Sequence, residues 1–222
     1  MDKLKRPQSL TEQAYREIKR SIINNEVEPL AYLAEEKIAN NLGISRTPIR
    51  EALKQLAFEG LVELRKGSKA RVSSVSPEDA LDYQLLRERL ESLSAELAAN
   101  YTTERDIREL IEITKQQNKS LELKDYHQFI ELDYQFHSKI AELSNNKKLV
   151  EFINYLNLQV QRFLVLSNTL SDSGIEAVDE HYVIIEMLQK QESEQAGVTM
   201  QNHIKNVTRR IFGHSKTKED TK

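Results

Sequence analysis

Cysteine is absent from the 222 residues, and glycine (six) and proline (four) are scarce. Without cysteine there are no disulfides and no thiolate metal ligands, which fits a reducing compartment. So few helix breakers argue for long helices over an all-β fold. No apolar run approaches the ~18 residues that a membrane span requires. The opening MDKLKRPQSL lacks the hydrophobic core of a secretory signal, so the expected compartment is the cytoplasm. No H-E-x-x-H is present and no glutamate stands out as a general base, so hydrolysis at a metal is the weaker alternative and an enzyme is not expected.

What is present is a helical, charge-rich composition, 39% apolar and 30% charged, with a net charge of −3. The charge is unevenly spread. Residues 1–76 hold 14 Lys and Arg against 10 Asp and Glu, a net +4, and the remainder 18 against 25, a net −7. A basic head on an acidic body suggests that only the head meets a polyanion.

In the head, LTEQAYREIKRSIINNE reads as a helix, with Thr11 as the expected N-cap and Ala14, Ile18 and Ile22 at helical spacing. EEKIANNLG is a short helix ended by Gly43 in the left-handed conformation. ISRTPIREALKQLAFEG is a third, with Ser45 able to cap it, Pro48 in its first turn and Gly60 closing it. LVELRKGSKARVSSV reads as two short strands around a Gly-Ser turn. On the third helix Ile49, Ala52, Leu53 and Leu56 form the buried stripe, and Arg46, Arg50 and Lys54 recur on another face. The N-terminal end of that helix is the part a helix–turn–helix points into the major groove. Arginine suits guanine or phosphate, and Thr47 suits a base edge or phosphate. Lys66 and Lys69 flank Gly67, where a backbone without Cβ comes close to DNA. The candidate DNA contacts are Ser45, Arg46, Thr47, Arg50, Lys66, Gly67 and Lys69.

SSVSPEDA is the expected linker, with Ser76 as cap and Pro77 at the first helical position. Six helices follow, at roughly 77–100, 103–123, 125–143, 147–168, 175–190 and 193–212. The expected architecture is mainly α: an arm (1–9), a winged helix–turn–helix (10–75), an antiparallel six-helix bundle (76–213) and a polar tail (214–222).

In FIELDYQFHSKIAEL, Asp133 and His137 lie in the stripe marked by Phe129, Leu132, Phe136, Ile140 and Leu143. His181 shares a stripe with Val178, Ile185 and Leu188, and His203 with Ala196, Met200, Val207 and Ile211. Burying such groups is costly unless they are paired or metal-bound. Each could be a separately satisfied core residue, and Asp133 with His137 a simple hydrogen-bonded pair. A single cation satisfies all four together, and imidazole with carboxylate suits Zn²⁺, Ni²⁺ or Mn²⁺. His127 and His214 lie outside the pattern and read as surface residues.

LAEEKIANNLGISRTPIREALKQLAFEGLVELRKG resembles the winged helix–turn–helix of the GntR family of bacterial transcription regulators, most densely in LGISRTPIREAL and the trailing L..EGLV. The resemblance implies that Arg46, Thr47, Arg50 and Gly67 contact operator DNA. Two departures stand out: Pro29–Leu30 where relatives usually have Pro-Gly, and Glu36 where some carry a DNA-contacting arginine. LLRERLESLSAELAA and LDYQFHSKIAELSNN are similar to the FCD domain of the FadR branch, in its shorter, VanR-like form. That resemblance implies a metal held by Asp133, His137, His181 and His203, with zinc expected ahead of nickel or manganese. It also implies a small carboxylate effector, with Arg87 as its partner; the alternative for Arg87 is an ion pair with Glu91. The function it implies is a repressor, binding a palindromic operator as a homodimer and released by effector. A constitutive DNA-binding protein with a purely structural metal is the alternative.

Overall fold

Ser9 ends an extended residue and its hydroxyl accepts the Glu12 N–H at 3.2 Å, starting α1 (Leu10–Ile23). The N-cap is therefore Ser9 and not Thr11, which lies inside the first turn; the Ser-x-x-Glu spacing favours the earlier start. The computed structural model describes residues 9–65, 68–167 and 174–213. Lys66, Gly67 and His214, almost all of the expected arm and the whole expected tail lie outside the described residues. Among the described residues the chain has nine helices and a small sheet, a mainly α fold. It divides into two compact units, Met1–Ser74 and Val75–Lys222.

In the first unit, α1 buries Ala14, Ile18 and Ile22 and packs on α3 (Arg46–Phe58), whose inward face is Ile49, Ala52, Leu53 and Leu56. Between them α2 (Glu35–Leu42) ends at Gly43 with φ +65°, the left-handed residue that turns the chain into α3. Ser45 holds the N-cap position of α3, but its hydroxyl makes no capping hydrogen bond. The sheet has three strands, not two: β1 (Tyr32–Leu33), β2 (Val62–Glu63) and β3 (Ala70–Val72), all antiparallel, with β3 central. A two-residue strand carries no periodicity to read, so β1 has no sequence signature. Leu30, just before it, has φ +66° and donates its N–H to Val72 O at 2.9 Å.

The second unit is the six-helix body: α4 (Pro77–Ala98), α5 (Glu104–Glu122), α6 (Tyr126–Leu143), α7 (Lys147–Ser167), α8 (Gly174–Gln189) and α9 (Ser193–Phe212). Ser76 and Asp79 form a reciprocal capping box at α4, as do Thr103 and Asp106 at α5. Helix α4 packs on α7 and α9, α5 on α6 and α8, and α6 on α7. At Gly197 of α9 a Cβ would stand 3.2 Å from the Ser92 carbonyl oxygen, and the Ser92 hydroxyl donates to Gly197 O at 2.9 Å. Glycine there permits α9 to lie close against α4.

Two apolar layers fill the body. One holds Leu110, Phe136, Ile140, Ile184, Leu188, Met200 and Ile204, the other Phe129, Ile130, Phe163, Val178 and Ile211. On α6 the change of layer falls at Asp133 to His137, and on α8 at His181. The polar centre thus lies between two dry layers.

Helix α4 buries polar residues together with small apolar ones. Its buried positions carry Gln84, Arg87, Glu91 and Ser94, whereas Leu81, Leu85, Leu86 and Leu93 are exposed.

Candidate functional site

Three helices bring three imidazoles together. His137 on α6, His181 on α8 and His203 on α9 are almost wholly buried, at 1%, 0% and 1% exposure. Their Nε2 atoms converge: His181 to His203 is 3.3 Å and His203 to His137 is 3.4 Å. The Asp133 carboxylate straddles the rim, Oδ1 3.6 Å from His181 Nε2 and Oδ2 3.7 Å from His137 Nε2. The tight group is the three histidines; Asp133 completes one side and keeps some exposure.

Every Nδ1 faces outward to an acceptor. His203 Nδ1 is 2.7 Å from Glu180 Oε2, and His137 Nδ1 is paired with the Glu91 carboxylate. His181 Nδ1 is 2.9 Å from Gln117 Oε1. The amide orientation of Gln117 follows from its other end, because Nε2 donates to Asp133 Oδ1 at 3.1 Å. A carboxylate only accepts, so Oε1 is left for His181 and the proton of that imidazole sits on Nδ1. The same logic places a proton on Nδ1 of each of the other two rings, facing Glu180 and Glu91. Three Nε2 lone pairs then point at one another.

Such an arrangement repels itself unless a cation lies among the lone pairs. A tetrahedral ion with bonds of about 2.0–2.1 Å separates its nitrogen ligands by about 3.3–3.4 Å. The His181–His203 and His203–His137 separations match that spacing. Burial lowers the pKa of both His181 and His203, and the neighbouring imidazoles push His181 the same way. Neutral imidazole is the metal-binding form.

The outer partners are themselves held. Burial pushes the Glu91 carboxyl up, but the Arg87 charge and His137 outweigh it and bring it down to about 2. Glu180 also ends at about 2: burial raises it, and hydrogen bonds from Arg210 and His203 dominate. Arg210 grips Glu180 with Nη1 to Oε1 at 2.9 Å and Nη2 to Oε2 at 2.8 Å, and Asn206 donates to Oε1 at 2.8 Å. His203, Asn206 and Arg210 follow one another on one face of α9, which is why one glutamate meets all three.

Arg87 is buried and inward, as expected, and it takes the alternative partner. Its Nε donates to Glu91 Oε1 at 2.6 Å and its Nη1 to Gln84 Oε1 at 3.0 Å. Gln84 Nε2 and both amide atoms of Asn157 are buried with no hydrogen-bond partner among the described residues. Beside Asp133 a cavity of about 30 Å³ is lined by Phe129, Ile130, Leu164, Ala177, Val207, Arg210 and Ile211. That is room for a water or two.

Sequence reasoning missed Gln117 and Glu180 as partners. Gln117 had a readable signal: Ile107, Leu110, Thr114 and Gln117 share the buried face of α5. Glu180 had none, since its neighbour His181 took the inward position.

In the first unit Arg46, Thr47 and Arg50 are exposed at the start of α3, and Lys69 is exposed beside β3. Lys54 pairs with Glu51 at 2.9 Å. A residue not singled out from sequence stands among them: Glu35, which bonds Arg50 through Nε at 3.1 Å and Nη2 at 2.8 Å and meets Arg46 Nη2 at 3.4 Å. His127 is exposed on α6, away from the cluster.

Comparison with known proteins adds the following. Residues 10–72 match the family described as bacterial regulatory proteins, gntR family, and residues 83–206 match the FCD domain. The Uxu operon transcriptional regulator of Escherichia coli (strain K12) is 32% identical over 200 residues, 82% of this chain and 78% of that protein. The HTH-type transcriptional repressor RspR of the same strain is 26% identical, covering 92% of this chain and 90% of that one. Among solved structures, E. coli McbR/YncC has a TM-score of 0.81 at 22% identity, covering 94% of this chain and 100% of that one, a likeness of fold.

Proposed function

The chain belongs to the GntR family of bacterial regulatory proteins and carries an FCD domain, and on that premise we propose that it is a metal-dependent, metabolite-responsive repressor that binds a palindromic operator as a homodimer. It is a transcription regulator and not an enzyme. The observation that carries the finer reading is the meeting of three buried Nε2 lone pairs whose opposite ring nitrogens are all engaged.

In this reading His137, His181, His203 and Asp133 hold a divalent ion, zinc ahead of nickel or manganese. When bound, the ion supplies a positive centre to which an anionic ligand can attach. Gln117, Glu180 and Glu91 fix the three rings and make them stronger donors. Two features favour an anion near the ion: buried Arg87, and the amide nitrogens of Gln84 and Asn157, which have no hydrogen-bond partner among the described residues. A small organic acid is the effector this set fits. Arg87 reaches it only by loosening its bond to Glu91, and Glu91 holds His137. That chain links occupancy of the pocket to the packing of α4 against α6.

In the first unit Arg46, Thr47 and Arg50 read bases and phosphates from the major groove, and Lys69 contacts the backbone. Ser45, Lys66 and Gly67 complete the proposed contacts. The exposed leucines of α4, with exposed Phe152 and Tyr155 on α7, supply an apolar face for a second copy. A dimer sets two recognition helices about 34 Å apart on one face of DNA. Coupling between effector and operator should be on the order of 1–3 kcal/mol, or about 5- to 150-fold in affinity. A regulator of this kind acts where the chromosome is, in the cytoplasm.

The test is a titration of DNA against zinc-loaded protein with and without a panel of small organic acids. At least one acid should weaken DNA binding and raise the melting temperature of wild-type protein, and His181→Ala should abolish both effects. If no acid alters either quantity while zinc still binds, the ion is structural and the effector role fails.

A further inference from the structure

Glu35 is the first residue of α2, and its carboxylate lies against the two arginines that open α3. Arg50 offers five N–H donors in a planar fork. Glu35 takes the side edge, Nε and one hydrogen of Nη2. The end edge, Nη1 with the other hydrogen of Nη2, has no partner among the described residues, and that edge matches guanine O6 and N7. The Arg50 and Glu35 side chains are 54% and 27% exposed, where an ion pair adds little to stability. The hydrogen bond from Arg50 also keeps the Glu35 carboxyl below its ordinary value, so the clamp persists at neutral pH.

We propose that Glu35 is a specificity-determining positioning residue: it holds the Arg50 guanidinium by its side edge so that the end edge meets guanine already oriented. This rests on the reading of Arg50 as a base contact. Orientation before binding removes part of the ordering cost at the correct base. A carboxylate beside the groove also disfavours loose association with phosphates, so both effects raise selectivity over bulk affinity. Glu36, the next residue, is exposed and forms no ion pair among the described residues. It carries the same charge without touching Arg50.

The experiment uses full-length protein and three kinds of duplex: one selected by the wild type from a randomised library, its scrambled counterpart, and copies with single guanines replaced by 7-deazaguanine, which lacks the N7 acceptor. The wild type should lose about tenfold in affinity at one guanine in each half-site, and Arg50→Ala should be insensitive there. Glu35→Gln and Glu35→Ala should bind the scrambled duplex at least as tightly as the wild type while the loss at that guanine shrinks several-fold. Two neutral variants guard against a local folding effect in either one. Glu36→Gln should tighten both duplexes and keep the full guanine penalty. If the Glu35 variants keep that penalty while Arg50→Ala removes it, Glu35 is only a repelling charge and the inference is overturned. If Arg50→Ala keeps the penalty, the base-contact reading fails and the inference with it.

Discussion

His181 Nε2 and His203 Nε2 lie 3.3 Å apart on neighbouring helices, and the Nδ1 of each is committed to Gln117 and Glu180 respectively. Two nitrogens without a proton donor between them thus confront each other in a buried site. A satisfied core histidine would place one of these nitrogens on a donor; here no such donor stands among the described residues, and a third imidazole approaches instead.

The outer partners should therefore matter to an ion they do not touch. Glu180→Gln weakens the acceptor behind His203 and leaves Arg210 without its counter-charge. Zinc affinity should fall about 10- to 100-fold, measured by competition with a chromophoric chelator. Gln117→Leu should act in the same direction through His181. Unchanged affinity in both variants would mean that the rings are oriented by packing alone, for instance by the Phe136 ring stacked on His181 at 3.8 Å.

Leu30 occupies the left-handed region at φ +66°, which favours glycine. A leucine there costs about 1–2 kcal/mol of backbone strain, and the residue is half exposed, so little burial compensates. Leu30→Gly should raise the stability of the first unit by about 1 kcal/mol, after the entropy that glycine adds to the unfolded chain. Chemical denaturation followed by circular dichroism reads the change. A destabilised variant would show that the Leu30 side chain packs more tightly than its exposure implies.

The helical frame was legible because the two kinds of signal agreed. Apolar spacing in α1, α3, α8 and α9 matched burial at Ile18, Ile49, His181 and His203, and Ser76-Pro77 marked the start of the body. The coming together of Asp133, His137, His181 and His203 was readable because each interrupted an apolar stripe. Other features left little or no trace in periodicity. The strand at Tyr32–Leu33 is too short to alternate. The Glu35 clamp joins residues 15 apart in sequence on exposed faces, where pattern is silent. Helix α4 buries Gln84, Arg87 and Glu91 and exposes Leu81, Leu85 and Leu86, so apolar spacing does not mark its inward face.

Arg50 and Lys69 should fail in different ways. Arg50→Ala should lower affinity for a selected duplex and abolish preference over a scrambled one. Lys69→Ala should weaken both alike and reduce the slope of log affinity against log salt by about one unit, because one phosphate contact is lost. Equal behaviour of the two variants would remove the division of labour.

The exposed leucines of α4 predict an interface. Leu85 is 60% exposed and stands one turn from Leu81, also exposed. Leu85→Glu should shift the sedimentation of the protein toward monomer, weakening association by at least about tenfold with helix content unchanged, since one buried charge outweighs the apolar gain of a leucine. Dimerisation as tight as that of the wild type would place the interface elsewhere.

The direct test of the metal centre is the ion content of purified protein, read together with its melting temperature before and after chelation. Wild-type protein should carry one divalent transition-metal ion per chain. Chelation should lower the melting temperature, and added zinc should restore it, with a stabilisation of about 2.7 kcal/mol once free zinc exceeds the dissociation constant a hundredfold. His181→Ala should retain no ion and respond to neither treatment. Protein that binds no ion from a zinc-containing buffer, and melts at the same temperature with and without it, would contradict the assignment of His137, His181 and His203 as a cation site.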